Sequence, residues 1–209
     1  MASASGHAAP RLADIPANVV IGRRGPQKAA FLEALLALRP AGEPWALLRN
    51  DGEKDPGAAA APDPAGLHIS QVADGCICCS AQVELRVALT RLLREARPRR
   101  LVIEPSSQAK LADVLRLLAD RWLAPVLNVR ATVGLIDAAD AVTPAEPWLS
   151  CDVLAVTGLA PDAGLEPLRN AWQAAAPGLR VVAADQLSLA DLDLAPRQPV
   201  RPLFRSGDA

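Results

Sequence analysis

The order of apolar and polar residues along the chain predicts alternating strands and helices. Short apolar runs bounded by polar or turn-forming residues are typical of buried strands. Such runs lie at 17–22, 45–50, 100–105, 131–137, 152–158 and 179–185. Apolar residues three and four positions apart predict helices at 27–38, 81–96, 109–123 and 164–176. This alternation favours an α/β fold with a mainly parallel sheet and helices on both faces.

One domain accounts for most of the chain. The 209 residues are 51% hydrophobic, which is enough to bury one sizeable core. We place this domain at 15–190, between a flexible N-terminus at 1–14 and a C-terminal tail at 191–209. Residues 54–66 are rich in Pro, Gly and Ala and show no period, so we interpret them as a loop within the domain.

The charge and the lack of long apolar segments exclude two classes of partner. The 22 basic and 23 acidic residues give a net charge of -1, and no basic stretch is interleaved with aromatic residues, so no nucleic acid is expected. The start of the chain lacks a secretory pattern, and no run reaches about 18 apolar residues, so no membrane is expected. Cys78 and Cys79 are adjacent and Cys151 is distant, which fits a reducing cytoplasm better than disulfides.

Three of the four cysteines lie within four positions. The thiolates of Cys76, Cys78 and Cys79 can point at one soft centre, such as zinc, copper(I) or an iron–sulfur cluster. Three thiolates leave one position of a tetrahedral zinc ion open, which suits metal transfer. Two alternatives stay open, a buried loop with inert thiols and a redox-sensing thiol pair. His68, on the strand that enters this loop, is a weaker candidate for a fourth ligand, and we interpret Cys151 as a core residue.

A glycine-bearing turn joins the first predicted strand to the first helix, which is where a phosphate-binding loop occurs. Against the pattern G-x-x-x-x-G-K-[ST], Gly22 and Lys28 match, but Gln27 replaces the second glycine and Ala29 replaces the hydroxyl residue. Ala29 has no oxygen for magnesium, and Pro26 removes an N–H donor. The nucleotide-binding candidates are Gly22, Gly25, Gln27, Lys28 and Ala29. The alternative is a plain strand–turn–helix with a solvated lysine.

Six short sequence motifs, taken in their order along the chain, indicate a family resemblance. They are GRRGPQKAA at 22–30, NDGEK at 50–54, GCICCS at 75–80, IEPSSQA at 103–109, LIDAADA at 135–141 and VTGLAP at 156–161. Together they resemble the CobW-type branch of the P-loop GTPases, the CobW/HypB/UreG metallochaperone family, over about residues 15–185. The resemblance implies a P-loop NTPase-like three-layer sandwich and a metal site at Cys76, Cys78 and Cys79.

The resemblance also implies roles for residues of the nucleotide site. It places Lys28 on the β- and γ-phosphates and Glu104 near magnesium or the attacking water, so Glu104 is the candidate catalytic residue. Ser107 stands at the family's switch glycine. The Asn, Lys and Asp of the guanine motif are replaced by Thr157, Gly158 and Ala160. Without that aspartate, we expect no preference for GTP.

These observations favour a cytoplasmic CobW-like protein of metal homeostasis or delivery. It would bind zinc or another divalent transition metal and would be a pseudo-GTPase, with GTP and magnesium as doubtful cofactors. Two alternatives stay open, a slow GTP- or ATP-hydrolysing metallochaperone and a non-catalytic partner of an intact homologous GTPase. The expected partners are the metal ion and a client metalloprotein or such a homologue, and a homodimer is also open. Asp51 and Glu53 either add to the metal shell or lie in a solvated loop.

Overall fold

The chain folds as alternating strands and helices. The computed structural model describes residues 14–50, 66–72, 81–160 and 164–198, with the helix backbone alone over 81–84. The strands are β1 Ile15–Gly22, β2 Trp45–Arg49, β3 Leu67–Gln71, β4 Arg100–Glu104, β5 Leu127–Val129, β6 Val133–Asp137, β7 Val153–Thr157 and β8 Arg180–Ala183. The α-helices are α1 Pro26–Ala37, α2 Ala81–Ala96, α3 Leu111–Leu118, α4 Glu166–Ala175 and α5 Leu189–Leu192. The interpreted loop at 54–66 lies outside the described residues, apart from Gly66.

The strands form one parallel sheet in the order β3-β2-β4-β1-β6-β7-β8. All strand pairs within the described residues are parallel. The short strand β5 pairs with the first half of β1, and β6 pairs with its second half, so the two follow each other along one side of β1. The predicted α/β fold with a parallel sheet is confirmed.

Helices cover both faces of this sheet. Along β1, Val19 and Ile21 pack in the core cluster that contains α2 and α3, whereas Val20 packs with α1 and α5. The alternation follows from the two-residue period of a strand, and the runs are apolar throughout because both faces are covered. Trp172 of α4 packs over β6 and β7 and is fully buried. The predicted helices on both faces are confirmed.

The structure differs from the sequence-based elements mainly after β4. The helix predicted at 109–123 ends at Leu118, and a series of turns leads from there to β5. The strand β5 was not predicted, because it has only three residues and Asn128 interrupts its apolar pattern. None of the described helices is long and apolar enough to cross a membrane.

Residues 191–198, which we assigned to the tail, pack on the domain. Leu192 is fully buried among α1 and the sheet. The backbone N–H of Arg197 donates to Oδ1 of Asp152, which precedes β7, at 2.5 Å. The side chain of Arg197 donates to the carbonyl oxygen of Leu149 at 2.9 Å. This stretch is therefore held by both apolar and polar contacts.

Candidate functional site

The carboxyl ends of β1, β2 and β4 lie side by side, and in open parallel sheets this is the edge at which ligands bind. The last residues of these strands are Gly22, Arg49 and Glu104. Leu135 on β6 lies close to Gly22, since a Cβ atom added to Gly22 would be 3.1 Å from the Cβ of Leu135. The close packing of β1 on β6 therefore favours a glycine at the end of β1.

Lys28 lies in the first turn of α1 and is buried. Its side chain is 1% exposed, and its Nζ lies 3.4 Å from Oε1 of Glu104, which is 3% exposed. The other carboxylate oxygen of Glu104 accepts a hydrogen bond of 2.8 Å from Nε of Arg49. The alternative of a solvated lysine is wrong, because the neighbouring strand β4 brings a carboxylate onto the ammonium group. Lys28 and Glu104, the two residues with implied chemical roles, are thus brought together.

Arg49 and Asn50, at the end of β2, are candidates that the sequence analysis missed. Arg49 pairs in register with Glu104 on one side and with Gln71 of β3 on the other. Asn50 is 2% exposed, and its backbone N–H donates to the carbonyl oxygen of Glu104 at 2.7 Å. Its side-chain oxygen is buried and has no hydrogen-bond partner within the described part of the chain. The available signal was the pair of polar residues that ends an apolar run.

Of the other predicted residues of the loop, Gln27 contacts the end of β6, and its neighbour Arg23, which was not predicted, contacts the turn after β6. Gln27 donates from Nε2 to Oδ2 of Asp137 at 3.0 Å, and Arg23 pairs with Asp140 at 2.8 Å. The residues that make these contacts line a cavity of about 40 Å³ beside Lys28. Gly25 and Ala29 lie on the helix start, where the N–H of Ala29 donates to the carbonyl oxygen of Gly25 at 3.2 Å.

The residues that replace the guanine motif begin at the end of β7, next to Asp137 at the end of β6. Thr157 ends β7 and donates from its hydroxyl to the carbonyl oxygen of Ile136 at 3.3 Å. Gly158 has a φ of +68°, and a Cβ atom there would lie 2.6 Å from Oδ2 of Asp137. Any larger residue at 158 would therefore need both a left-handed backbone and a shift of that carboxylate. Ala160 and Ser107 are exposed.

The predicted metal ligands Cys76, Cys78 and Cys79 lie outside the described residues, as do Asp51 and Glu53. No three His, Cys, Asp or Glu side chains form a metal site among the residues that are described. The chain leaves β3 at the same edge as Arg49, because the N–H of Val72 donates to the carbonyl oxygen of Arg49 at 2.8 Å. The segment that carries the three cysteines begins there, next to the end of β2.

Two further candidates have clear positions. His68 lies within β3, opposite Ala46 of β2, and is half-buried. Cys151 is fully buried in the core cluster under α2 and α3. Burial, together with the nearby carboxylates of Asp152 and Glu146, raises the pKa of the Cys151 thiol far above its usual range. The interpretation of Cys151 as a core residue is confirmed.

Comparison with known proteins decides the family. Residues 16–198 match the family described as "CobW/HypB/UreG, nucleotide-binding domain". The chain belongs to the CobW/HypB/UreG family. Among curated proteins, this CobW-family chain is 33% identical over 121 residues to the zinc chaperone YeiR of Escherichia coli (strain K12). The match covers 57% of this chain and 37% of YeiR, so the chain spans little more than a third of that relative.

Solved structures support the same fold. The Zn(II)-bound YjiA GTPase of E. coli superposes with a TM-score of 0.63 at 16% identity, over 92% of this CobW-family chain and 67% of YjiA. A Zn(II)-bound triple mutant of the same GTPase gives a TM-score of 0.59, at the same identity and coverage. At this identity the likeness shows a shared architecture. The parallel sheet with helices on both faces is thus shared with these solved structures.

Proposed function

We propose that this CobW-family chain binds zinc or a similar divalent transition metal through Cys76, Cys78 and Cys79, and serves metal homeostasis or delivery. We further propose that it no longer turns over GTP. The metal function is supported by the zinc chaperone YeiR and by the Zn(II)-bound YjiA, which are relatives of this chain. Three thiolates are soft ligands that suit zinc, and they leave one position for exchange.

The observation that carries the loss of turnover is Ala29. It directly follows Lys28 on α1 and has no hydroxyl group. Phosphoryl transfer depends on positioning and on charge neutralisation by magnesium, for which a P-loop serine or threonine is a usual ligand. Gly158 supports the same proposal, because it stands in place of the lysine of the family's guanine motif, and a larger residue there would need a left-handed backbone and a shift of the Asp137 carboxylate.

A metal titration with a matched cysteine control tests the metal function. We expect the purified chain to bind about one equivalent of Co²⁺, with thiolate-to-metal charge-transfer absorption, and to exchange it for Zn²⁺. The triple variant Cys76→Ser, Cys78→Ser and Cys79→Ser should lose this absorption. The control Cys151→Ala removes a buried thiol and should keep it. An unchanged stoichiometry in the triple variant contradicts the proposed site.

The turnover of GTP is measured on the same preparation. With GTP and Mg²⁺, we expect phosphate release at the rate of a blank without protein, before and after loading with zinc. One observation favours a second candidate, a slow nucleoside triphosphatase, because the structure brings Lys28 and Glu104 together. Hydrolysis that disappears in Lys28→Ala would support this second candidate and overturn the pseudo-GTPase proposal.

A further inference from the structure

Two cations and one carboxylate lie in a row at the carboxyl ends of the three adjacent strands. Nζ of Lys28 is 3.4 Å from one oxygen of Glu104, and Nε of Arg49 is 2.8 Å from the other. Lys28 and Glu104 taken alone sum to zero charge, which gives an anionic ligand no net attraction. Arg49 restores one positive charge to the group, so the three residues together favour an anion.

Arg49 is also the member of this group that can reach a ligand. Its side chain is 36% exposed, whereas those of Lys28 and Glu104 are 1% and 3% exposed. Its contact with Glu104 uses Nε, and no acceptor bonds its two Nη atoms in the parts of the chain that are described. A guanidinium group with both Nη atoms available binds two phosphate oxygens at once.

The same site lacks a usual ligand of magnesium. In P-loop sites, a serine or threonine after the lysine holds Mg²⁺, and the ion neutralises the phosphates. In this chain that position is Ala29, and Glu104, the carboxylate that contacts Lys28 within the described residues, is already bonded to two cations. The described residues at this edge therefore do not fit a magnesium ion in its usual place, while a second positive charge, that of Arg49, lies on the other oxygen of Glu104.

We propose that Arg49 takes over the neutralising charge of magnesium, so that the site binds the phosphates of a nucleoside di- or triphosphate without a metal ion. Arg49 is then the residue that determines which form of the nucleotide is bound, the free anion rather than its magnesium complex. The proposal rests on the proposed loss of turnover and extends it. Binding of nucleotide is retained, and only the magnesium-dependent chemistry is lost.

Calorimetry with GDP, ADP and GTP tests this on the full chain, once in excess EDTA and once in excess Mg²⁺. For the wild-type chain, we expect affinities that differ by less than about threefold between the two conditions. Arg49→Ala should weaken nucleotide binding in EDTA by at least about tenfold. The affinity of Arg49→Lys should lie between those of Arg49→Ala and the wild type, because lysine keeps the positive charge but lacks the two Nη atoms of the guanidinium group. The control Arg91→Ala removes an exposed arginine that pairs with Glu95 on α2, and it should change nothing.

Glu104→Gln should change the nucleotide affinity in the opposite direction to Arg49→Ala. It raises the charge of the group from one positive to two, so nucleotide binding in EDTA should tighten. If Glu104 instead served a magnesium ion, the same substitution would weaken binding in Mg²⁺. Tightening by Mg²⁺ of tenfold or more, equal affinities of Arg49→Ala and the wild type, or no binding of any of the three nucleotides overturns the proposal. The cobalt titration and the hydrolysis assay are independent of these results, so the metal function can stand when this proposal fails.

Discussion

Two asparagine–arginine pairs on neighbouring strands of the sheet have opposite surroundings. Asn18 on β1 and Arg100 on β4 are fully engaged. Nδ2 of Asn18 donates to the carbonyl oxygens of Ala131 and Leu192 at 2.9 and 2.8 Å, and its Oδ1 accepts from Arg100 at 2.6 Å. Arg100 also pairs with Asp193 and lies 5.3 Å from the ring centre of Trp45. This pair fixes the segment after α5 to the sheet.

Asn50 and Arg49, at the end of β2, are engaged only in part. The side-chain oxygen of Asn50 is buried without a partner among the residues described, and Arg49 contacts Glu104 through one nitrogen. Buried polar groups are nearly always hydrogen-bonded, so an unpaired one calls for an explanation. The comparison of these two pairs teaches that the fully hydrogen-bonded pair holds the C-terminal segment to the sheet, whereas the partly bonded pair lies at the edge where ligands bind.

The largest expected effect is on the saturated pair. Asn18→Ala leaves two carbonyl oxygens and one guanidinium N–H of Arg100 without partners in the core. We expect it to lower the free energy of unfolding by about 3 kcal/mol, measured by urea denaturation at pH 7. The control Asn128→Ala removes an exposed amide that bonds Asp14, and it should cost less than about 0.5 kcal/mol. Equal losses in the two variants would break the contrast.

The sequence predicted the scaffold better than it predicted these pairs. Apolar runs with helices between them are enough to predict a parallel sheet, and the spacing of Gly22 and Lys28 placed the lysine on the start of α1. Each of these features is local. The partner of Lys28 required the strand order, which puts Glu104 beside it although 76 positions separate the two residues. Arg49 was missed for the same reason, since its significance comes from its register with β4.

The packing of the C-terminal segment could not be predicted either. The helix α5 has four residues, too few for a helical period to show. It is held by Asn18, which lies 174 positions earlier in the chain. The cysteine block GCICCS and the motifs at 50–54 are strong local signals of the family, but they lie largely outside the described residues, so their metal-binding role stays a prediction.

A second prediction concerns the pH dependence of stability in the C-terminal segment, which the Asn18–Arg100 pair holds to the sheet. Asp191 lies on α5 and is buried, which alone would raise its pKa, but hydrogen bonds from Ser188 and Arg180 lower the pKa below its usual value. A carboxylate with a lowered folded-state pKa stabilises the fold above its unfolded pKa, and this contribution is lost as the pH falls through the folded value. Asp191→Asn should therefore cost about 1.5 kcal/mol at pH 7, and this difference should shrink below about pH 4.

The pH test has a control on the same part of the chain. Asp185→Asn changes an exposed carboxylate in the short turn Ala184–Gln186, and it should alter stability by less than about 0.5 kcal/mol at pH 7. Urea midpoints of both variants and the wild type are compared from pH 7 down to pH 3. A loss in Asp191→Asn that is as large at pH 3 as at pH 7 would show that the charge of Asp191 is not what holds α5.

The smallest expected effect is at Asn50, and it is the sharpest test of the contrast with Asn18. Both residues are asparagines buried in adjacent parts of one sheet, so Asn50→Ala is the same chemical change as Asn18→Ala. Because the side-chain oxygen of Asn50 has no partner among the residues described, its removal should change the free energy of unfolding by less than about 0.5 kcal/mol. A loss above about 1 kcal/mol would mean that the folded chain already satisfies Asn50, and the end of β2 would then be a structural region like that around Asn18.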